Sequence, residues 1–401
     1  MNLLENISKY DETVKKKYTL KGKSSNFQAY RIPLNNLKYN VKNDRIATFI
    51  SQYLDEQGDL PKETEELNNI LEGYIEKSNP NSFKKTKANI NIMGQQEIAV
   101  VMSDGVVIDG NRRFTALRQL AREGAGSEFS YLEAVILNRS KYEDKDIKRL
   151  ELNLQHAMES KVDYNPIERL VGIYNDLLKE GHEFTLEEYA TETQTSLNKL
   201  KEEVEIAKLL VDYLKFINQP SKFHIARTQN IDGPLREAYK ILKSNKIDEE
   251  LIDDAKDLLF ANITSLDGDV TRKIRELKMV FEDKDMLTAI LDETDDSLDD
   301  IEDSFHDETT EMKIRETAIV EIPQQIKQVF TEVTEKYVEK KKITIAKNAP
   351  VVSIKKALER IRDVDNGSVY RLNADAKKEF ANYLKEIIIE VKKFEDVIDV
   401  N

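Results

Sequence analysis

Apolar positions change their period once along the chain. Up to residue 140, short β-type runs at 30–34, 97–102, 106–108 and 132–137 alternate with helical spacing at 44–56 and 63–76. A Ser103-Asp104-Gly105 turn between two of the runs predicts a hairpin over 97–109. Residues 77–87, polar with Asn and Ser around Pro80, read as a loop. From residue 141 on, apolar residues recur at spacings of three and four, as in 147–154, 166–179 and 197–217, and predict helices almost throughout. Three amphipathic stretches, 323–342, 353–364 and 373–397, close the chain, with a turn at Asn366-Gly367. No internal repeat is present. The expected class is α+β: an α/β domain over 1–140, a helical domain over 141–281, an acidic segment over 282–311 and a helical C-terminal domain over 312–401.

Composition removes several kinds of chemistry. The 401 residues include no cysteine, which excludes a disulfide framework, a thiolate metal site and a cysteine nucleophile, and fits a reducing, cytoplasmic compartment. His156, His182, His224 and His306 lack HxxxH spacing, which argues against a histidine-built zinc site. No window nears eighteen consecutive apolar residues, and the first residues lack the apolar core of a signal peptide, so neither membrane nor secretion is expected.

Charge is unevenly placed. The net value is −14, yet residues 282–311 hold fourteen Asp or Glu against one Lys, which leaves the rest of the chain at −1. Residues 1–50 carry ten Lys or Arg against four acids. The acidic run reads as a linker or a solvated helix, and as a docking element for a basic protein partner. The remainder is free to meet phosphate.

One segment carries phosphate-type chemistry: Val106-Val-Ile-Asp109-Gly110-Asn111-Arg112-Arg113-Phe114-Thr115-Ala116-Leu117-Arg118. A β-run ends in Asp-Gly and an amphipathic helix begins at once. A helix N-terminus offers unpaired N–H groups and partial positive charge. Gly110 permits close backbone approach, and two arginines supply forked donors that match phosphate oxygens. Cations in a first turn oppose the macrodipole, so they answer either to a bound anion or to an internal partner such as Asp104 or Asp109.

Gly110-Asn-Arg112-Arg113-Phe-Thr-Ala116 resembles the GxxRxxA box of the ParB/sulfiredoxin-like fold, written GERRxxA in ParB partition proteins. Asp109-Gly-Asn-Arg-Arg also resembles the DGQQR box of GmrS-like restriction nucleotidases of that fold. Further along, Leu152-Asn153-Leu154-Gln155-His156 resembles the ENIQR string of ParB proteins, and Asp163-Tyr-Asn165-Pro166-Ile167-Glu168 their DLNPIE. The second string is also a plain helix start, with Asn165 as N-cap, Pro166 at N1 and Glu168 completing a capping box. Sulfiredoxin chemistry is excluded because it needs cysteine.

A helix-turn-helix follows. Thr185 and Glu188 form a second capping box, Phe184 and Tyr189 a hydrophobic staple, and Gln194-Thr195 the turn before a long helix at Ser196. Ala190 and Leu200 occupy the small and apolar anchor positions. Gln194 replaces the usual turn glycine, at about 1 kcal/mol if a left-handed conformation is required. Ser196, Asn198, Lys199 and Lys201 form the candidate DNA-reading surface; Glu202, Glu203 and Glu205 oppose phosphate, and Lys208, Lys215, Lys222 and Arg227 are candidate phosphate contacts.

The resemblance spans roughly residues 30–225. It implies a ParB-like, dimeric DNA-binding protein that binds a nucleotide triphosphate, CTP in the ParB case, through Asp109, Gly110, Asn111, Arg112, Arg113, Asn153 and Gln155. Magnesium is implied with the triphosphate, and Asn153 is its expected protein ligand. ParB proteins place Glu beside that Asn to support hydrolysis; Leu152 stands here, so any triphosphatase activity is expected to be weak. Plasmid partition, transcriptional regulation and phage defence all fit. The alternatives are a nucleotide-hydrolysing defence component resembling the DGQQR group and a non-catalytic adaptor.

Overall fold

The computed structural model describes residues 2–157, 165–244 and 246–398, with the side chains of 155–157 and 396 left out. Asp163 and the side chain of Gln155 therefore lie outside the described residues. Two compact units divide the chain, Met1–Tyr337 and Val338–Asn401.

The first unit opens with strands β1 (Glu12–Leu20), β2 (Lys23–Pro33) and β3 (Lys38–Tyr39), then helices α1 (Ala47–Gln57), α2 (Thr64–Ser78) and α3 (Pro80–Met93). Strands β4 (Ala99–Met102) and β5 (Val106–Asp109), helix α4 (Asn111–Arg122) and strand β6 (Tyr131–Leu137) complete a six-stranded sheet of order β1-β2-β6-β4-β5-β3. The β4–β5 hairpin is antiparallel, as the turn at 103–105 predicts, whereas β4–β6 and β3–β5 are parallel. A Cβ on Gly105 (φ +88°) would lie 2.5 Å from the Asn36 carbonyl oxygen, so glycine is required at this turn.

Both faces of the sheet are covered. Along β4, Ala99 and Val101 join a core with Phe114, Leu117, Leu71, Phe83 and Ile90, while Val100 and Met102 join another with Tyr18, Ile108, Ile147 and Leu150. The period-2 alternation splits one continuous apolar run between two cores.

Two sequence expectations change here. The region read as a loop is mostly helix: Asn79 accepts from Ser82 N at 3.0 Å and Pro80 takes the first position of α3, so the Asn-Pro pair is a helix start. The β1–β2 hairpin extends well before the run at 30–34, with Lys21 (φ 50°) and Gly22 (φ 72°) at its turn. Its lysines mask the strand pattern and suit an edge strand, where charge discourages further pairing.

The rest of the first unit is helical: α5 (Asp144–Ala157), α6 (Pro166–Ile173), α7 (Leu186–Glu192), α8 (Leu197–Phe216), α9 (Phe223–Gln229), α10 (Asp232–Leu242), α11 (Ile252–Ser265), α12 (Val270–Phe281), α13 (Lys284–Phe305), α14 (Glu308–Thr317) and the start of α15 (Gln324–Arg362). Phe216 stacks with Phe260 and Phe305 at 5.7 and 5.8 Å between centroids, joining α8, α11 and α13. The acidic segment is thus no free linker. Leu287, Ile290, Leu291, Ile301 and Phe305 bury one face of α13, each contributing about 1.5–3 kcal/mol, and Asp292, Asp295, Asp296, Asp299 and Asp300 line the wet face.

At the C-terminal end, α15 runs through Pro350, so the stretches at 323–342 and 353–364 are one helix. Asn366-Gly367 begins a short helix, α16 (Asn366–Tyr370), because Asp365 caps Gly367 N and Ser368 N. Helix α17 (Ala374–Ile398) leaves Leu384, Ile387, Val391 and Phe394 exposed. The α+β class holds: a six-stranded sheet in the N-terminal region and helices beyond it. No helix among the described residues is long and apolar enough to cross a membrane.

Candidate functional site

Helix α4 starts where β5 ends. Asp109 closes the strand, Gly110 is the N-cap at φ +101°, and Asn111 is the first helical residue. A Cβ at Gly110 would lie 2.8 Å from that of Ala99, so no other residue fits without displacement. No side chain caps α4, and its N-terminal partial charge is unanswered from within.

Two polar atoms at this turn are buried without a hydrogen-bond partner: Asn111 Oδ1 and Arg113 Nε. The other end of each side chain is held. Asn111 Nδ2 donates to the Val107 carbonyl at 3.1 Å, and Arg113 Nη2 donates to Asp109 Oδ2 at 2.7 Å. The Asp109 pair answers the electrostatic oddity of an arginine in the first turn, while Arg112 is half-buried beside it. Buried polar groups are normally satisfied, so two orphans at one helix start mark a place built for something more. Arg118 is engaged elsewhere, where it bonds Glu65, Glu72 and Asn69 and fastens α4 to α2.

Helix α5 sends its side chains in three directions. Ile147 and Leu150, with Leu154 against them, pack on the sheet cluster that contains Ile108. Lys148 reaches Asp44 at 2.6 Å and Asp176 at 3.5 Å, with Glu151 buried alongside. Burial pushes the Glu151 carboxyl up to about 8, against the pull of Lys148, and burial likewise raises Asp176 to about 7. Asp176 lies in a π-helical turn, Tyr174–Leu178. The third face carries Lys145, Arg149 and Asn153 toward α7. Lys145 meets Glu188 at 2.9 Å, Arg149 meets Glu188 at 2.6 Å and Glu192 at 3.2 Å, and Asn153 Nδ2 donates to Glu192 Oε2 at 2.7 Å. Leu152 is buried.

Asn165 caps α6 by accepting from Ile167 N at 2.9 Å. The expected capping box is not closed. Glu168 turns to Thr48, whose N donates to Oε2 at 3.1 Å and whose hydroxyl donates to Oε1, and Arg227 reaches Oε1 at 3.1 Å. Arg227 also lies 3.7 Å from the centre of the Phe49 ring. The helix-turn-helix forms as its local chemistry dictates. Thr185 and Glu188 cap each other reciprocally, Phe184 and Tyr189 meet edge to face at 6.1 Å, and Gln194 adopts φ 49°. The Thr185 N–H and then Lys145 hold the Glu188 carboxyl down at about 2. Ser196 caps α8, Ala190 and Leu200 are buried, and Ser196, Asn198, Lys199 and Lys201 are all exposed.

The expected electrostatics of that surface need correction. Glu203 turns inward, where Arg236 holds both its oxygens at 2.9 and 3.0 Å, so it does not face phosphate. Arg227 is tied to Glu168, and Lys222 to buried Asp55, which withdraws both from the candidate phosphate contacts. Lys208 and Lys215 stay exposed beside Glu205 and Asp212.

The chain matches no family model and no curated protein. It is similar to one solved structure. That structure is described as a Pnob8-like ParB-N domain; it is 13% identical, covers 72% of this chain and 99% of its own, and superposes with a TM-score of 0.31. At that score the likeness carries no weight for function, which must be read from the site.

The structure gathers Asp109, Gly110, Asn111, Arg112 and Arg113 at one turn and sets Asn153 on α5, whose apolar face packs on the cluster containing Ile108 of β5. The residues that sequence reasoning missed are Glu188 and Glu192, which grip α5 from α7. Their i, i+4 spacing on α7, facing Lys145, Arg149 and Asn153 on α5, was readable only once the two helices were known to touch. Among the described residues no group of three or more acidic or histidine side chains is arranged to hold a metal ion.

Proposed function

We propose that this chain is a ParB-like DNA-binding protein that takes a nucleotide triphosphate at the β5–α4 turn. The supporting observation is the pair of unsatisfied buried atoms, Asn111 Oδ1 and Arg113 Nε, beside the uncapped N-terminus of α4. A triphosphate supplies what is missing there: acceptor oxygens for the α4 N–H groups and for the guanidinium edge. Arg112 and Arg113 bind phosphate, Gly110 admits it, Asp109 holds Arg113 in orientation, and Asn111 and Gln155 complete the set. CTP is the preferred nucleotide.

Asn153 fits magnesium as a single neutral oxygen donor, in keeping with an ion that takes most of its ligands from phosphate and water. Bound magnesium would neutralise the β and γ oxygens. Leu152 supplies no carboxylate, so hydrolysis is weak. DNA is read by Ser196, Asn198, Lys199 and Lys201 at the start of α8, and two copies close on DNA as a clamp. In this reading 1–140 is the nucleotide-binding division and 141–281 the DNA-binding one, and the protein acts in the cytoplasm, in partition, regulation or defence.

The Asp109–Arg113 pair favours a second reading, a non-catalytic adaptor whose box is structural. Calorimetric titration with CTP, ATP and GTP, each with and without duplex DNA, separates the two. The proposal expects saturable binding of at least one triphosphate; the adaptor reading expects none.

A further inference from the structure

Asn153 is the one expected magnesium ligand, and an amide can present either its oxygen or its nitrogen. Here the choice is made by a neighbour. Glu192, on the first helix of the helix-turn-helix, accepts from Asn153 Nδ2 at 2.7 Å. An ionised carboxylate only accepts, so the NH2 end must face Glu192 and Oδ1 must be directed away from it. Glu192 is itself held, with Arg149 Nε 3.2 Å from its other oxygen, and Arg149 and Lys145 both reach Glu188 one turn earlier on α7. The Phe184 ring underlies the two cations at 5.9 and 5.4 Å. Four side chains and one ring therefore fix a single amide.

We propose that Glu192 is a positioning residue for Asn153: it fixes the amide so that Oδ1 is the end offered to a magnesium–triphosphate pair, and it ties that geometry to the DNA-binding helix pair. This rests on the nucleotide reading given above. It assigns to α7 the orienting role that outer carboxylates commonly perform for metal ligands. The carboxylate comes from the helix-turn-helix, not from the residue beside Asn153, where Leu152 stands.

The test uses the full chain and two variants, Glu192→Ala and Glu192→Gln. CTP affinity is measured by calorimetry in magnesium and again in EDTA, with the thermal midpoint as a fold control. Glutamine keeps an oxygen that accepts from Asn153 Nδ2, so it should retain the magnesium-dependent gain in affinity. Alanine should lose roughly tenfold of that gain while its affinity in EDTA stays at the wild-type value. If alanine keeps the full gain, or if both conditions weaken equally, Glu192 does not position Asn153. A wild type that binds no triphosphate in either condition overturns the nucleotide reading, and this inference with it; the alanine pattern overturns this inference alone.

Discussion

Thr48 and Glu168, 120 positions apart, are joined twice: the Thr48 N–H donates to one carboxylate oxygen at 3.1 Å and its hydroxyl donates to the other. The bond ties α1, beside the sheet, to α6, which opens the helical part. Arg227 closes the arrangement from α9 at 3.1 Å. Glu168→Ala leaves a largely buried guanidinium without its carboxylate, and should cost about 3–5 kcal/mol. Guanidinium unfolding of the two proteins measures it; a difference below about 1 kcal/mol would show that the link is dispensable.

Lys148 faces Asp44, Glu151 and Asp176, more negative charge than it can neutralise. Burial raises Glu151 to about 8 and Asp176 to about 7, both above their unfolded values near 4. The folded state thus retains protons that the unfolded state releases. Stability from these groups is complete below about pH 4 and is lost as pH rises through 7 and 8, by at most about 1.4 kcal/mol per unit and group. Glu151→Gln should flatten that decline between about pH 5.5 and 8. An identical pH slope in the variant contradicts the assignment.

Gln194 holds a left-handed backbone at φ 49° in the turn between α7 and α8. Gln194→Gly relieves that strain at the expense of unfolded-state entropy, and should stabilise the protein by about 0.5–1 kcal/mol. A thermal midpoint that falls instead would mean that the side chain, which is exposed, makes a contact worth more than the strain.

The acidic segment can screen DNA only through the wet face of α13. Deleting it would remove Ile290, Ile301 and Phe305 from the core, so neutralisation is the cleaner experiment. Replacing Asp295, Asp296, Asp299 and Asp300 with asparagine should tighten nonspecific DNA binding. The gain should be largest near 0.01 M salt, where the Debye length is about 30 Å. Unchanged affinity across a salt series leaves α13 a structural helix with a solvated face.

Local rules carried the reading of the helix-turn-helix. Its capping box, staple, turn strain and anchors involve residues within a few positions of one another, and each is found where Thr185, Phe184, Gln194 and Leu200 place it. The β5–α4 start was legible for the same reason. What escaped was decided by partners remote in sequence. Glu168 completes a capping box on paper and goes to Thr48 in the fold. Glu203 sits on a candidate DNA face and is neutralised by Arg236 from α10. Leu287 and Ile290 were too thinly scattered among acids to reveal that α13 has a buried side. Asn79-Pro80 misled because a helix start and a loop share the same residues.

The central claim is that the uncapped N-terminus of α4 binds a triphosphate through its arginines. Calorimetric titration of CTP into wild type and Arg112→Ala tests it most directly. Losing one charge-assisted phosphate contact costs about 1.5–3 kcal/mol, so affinity should fall roughly ten- to hundredfold while the thermal midpoint of the free protein stays near wild type. Equal affinity in the two proteins, or no binding by either, contradicts the claim.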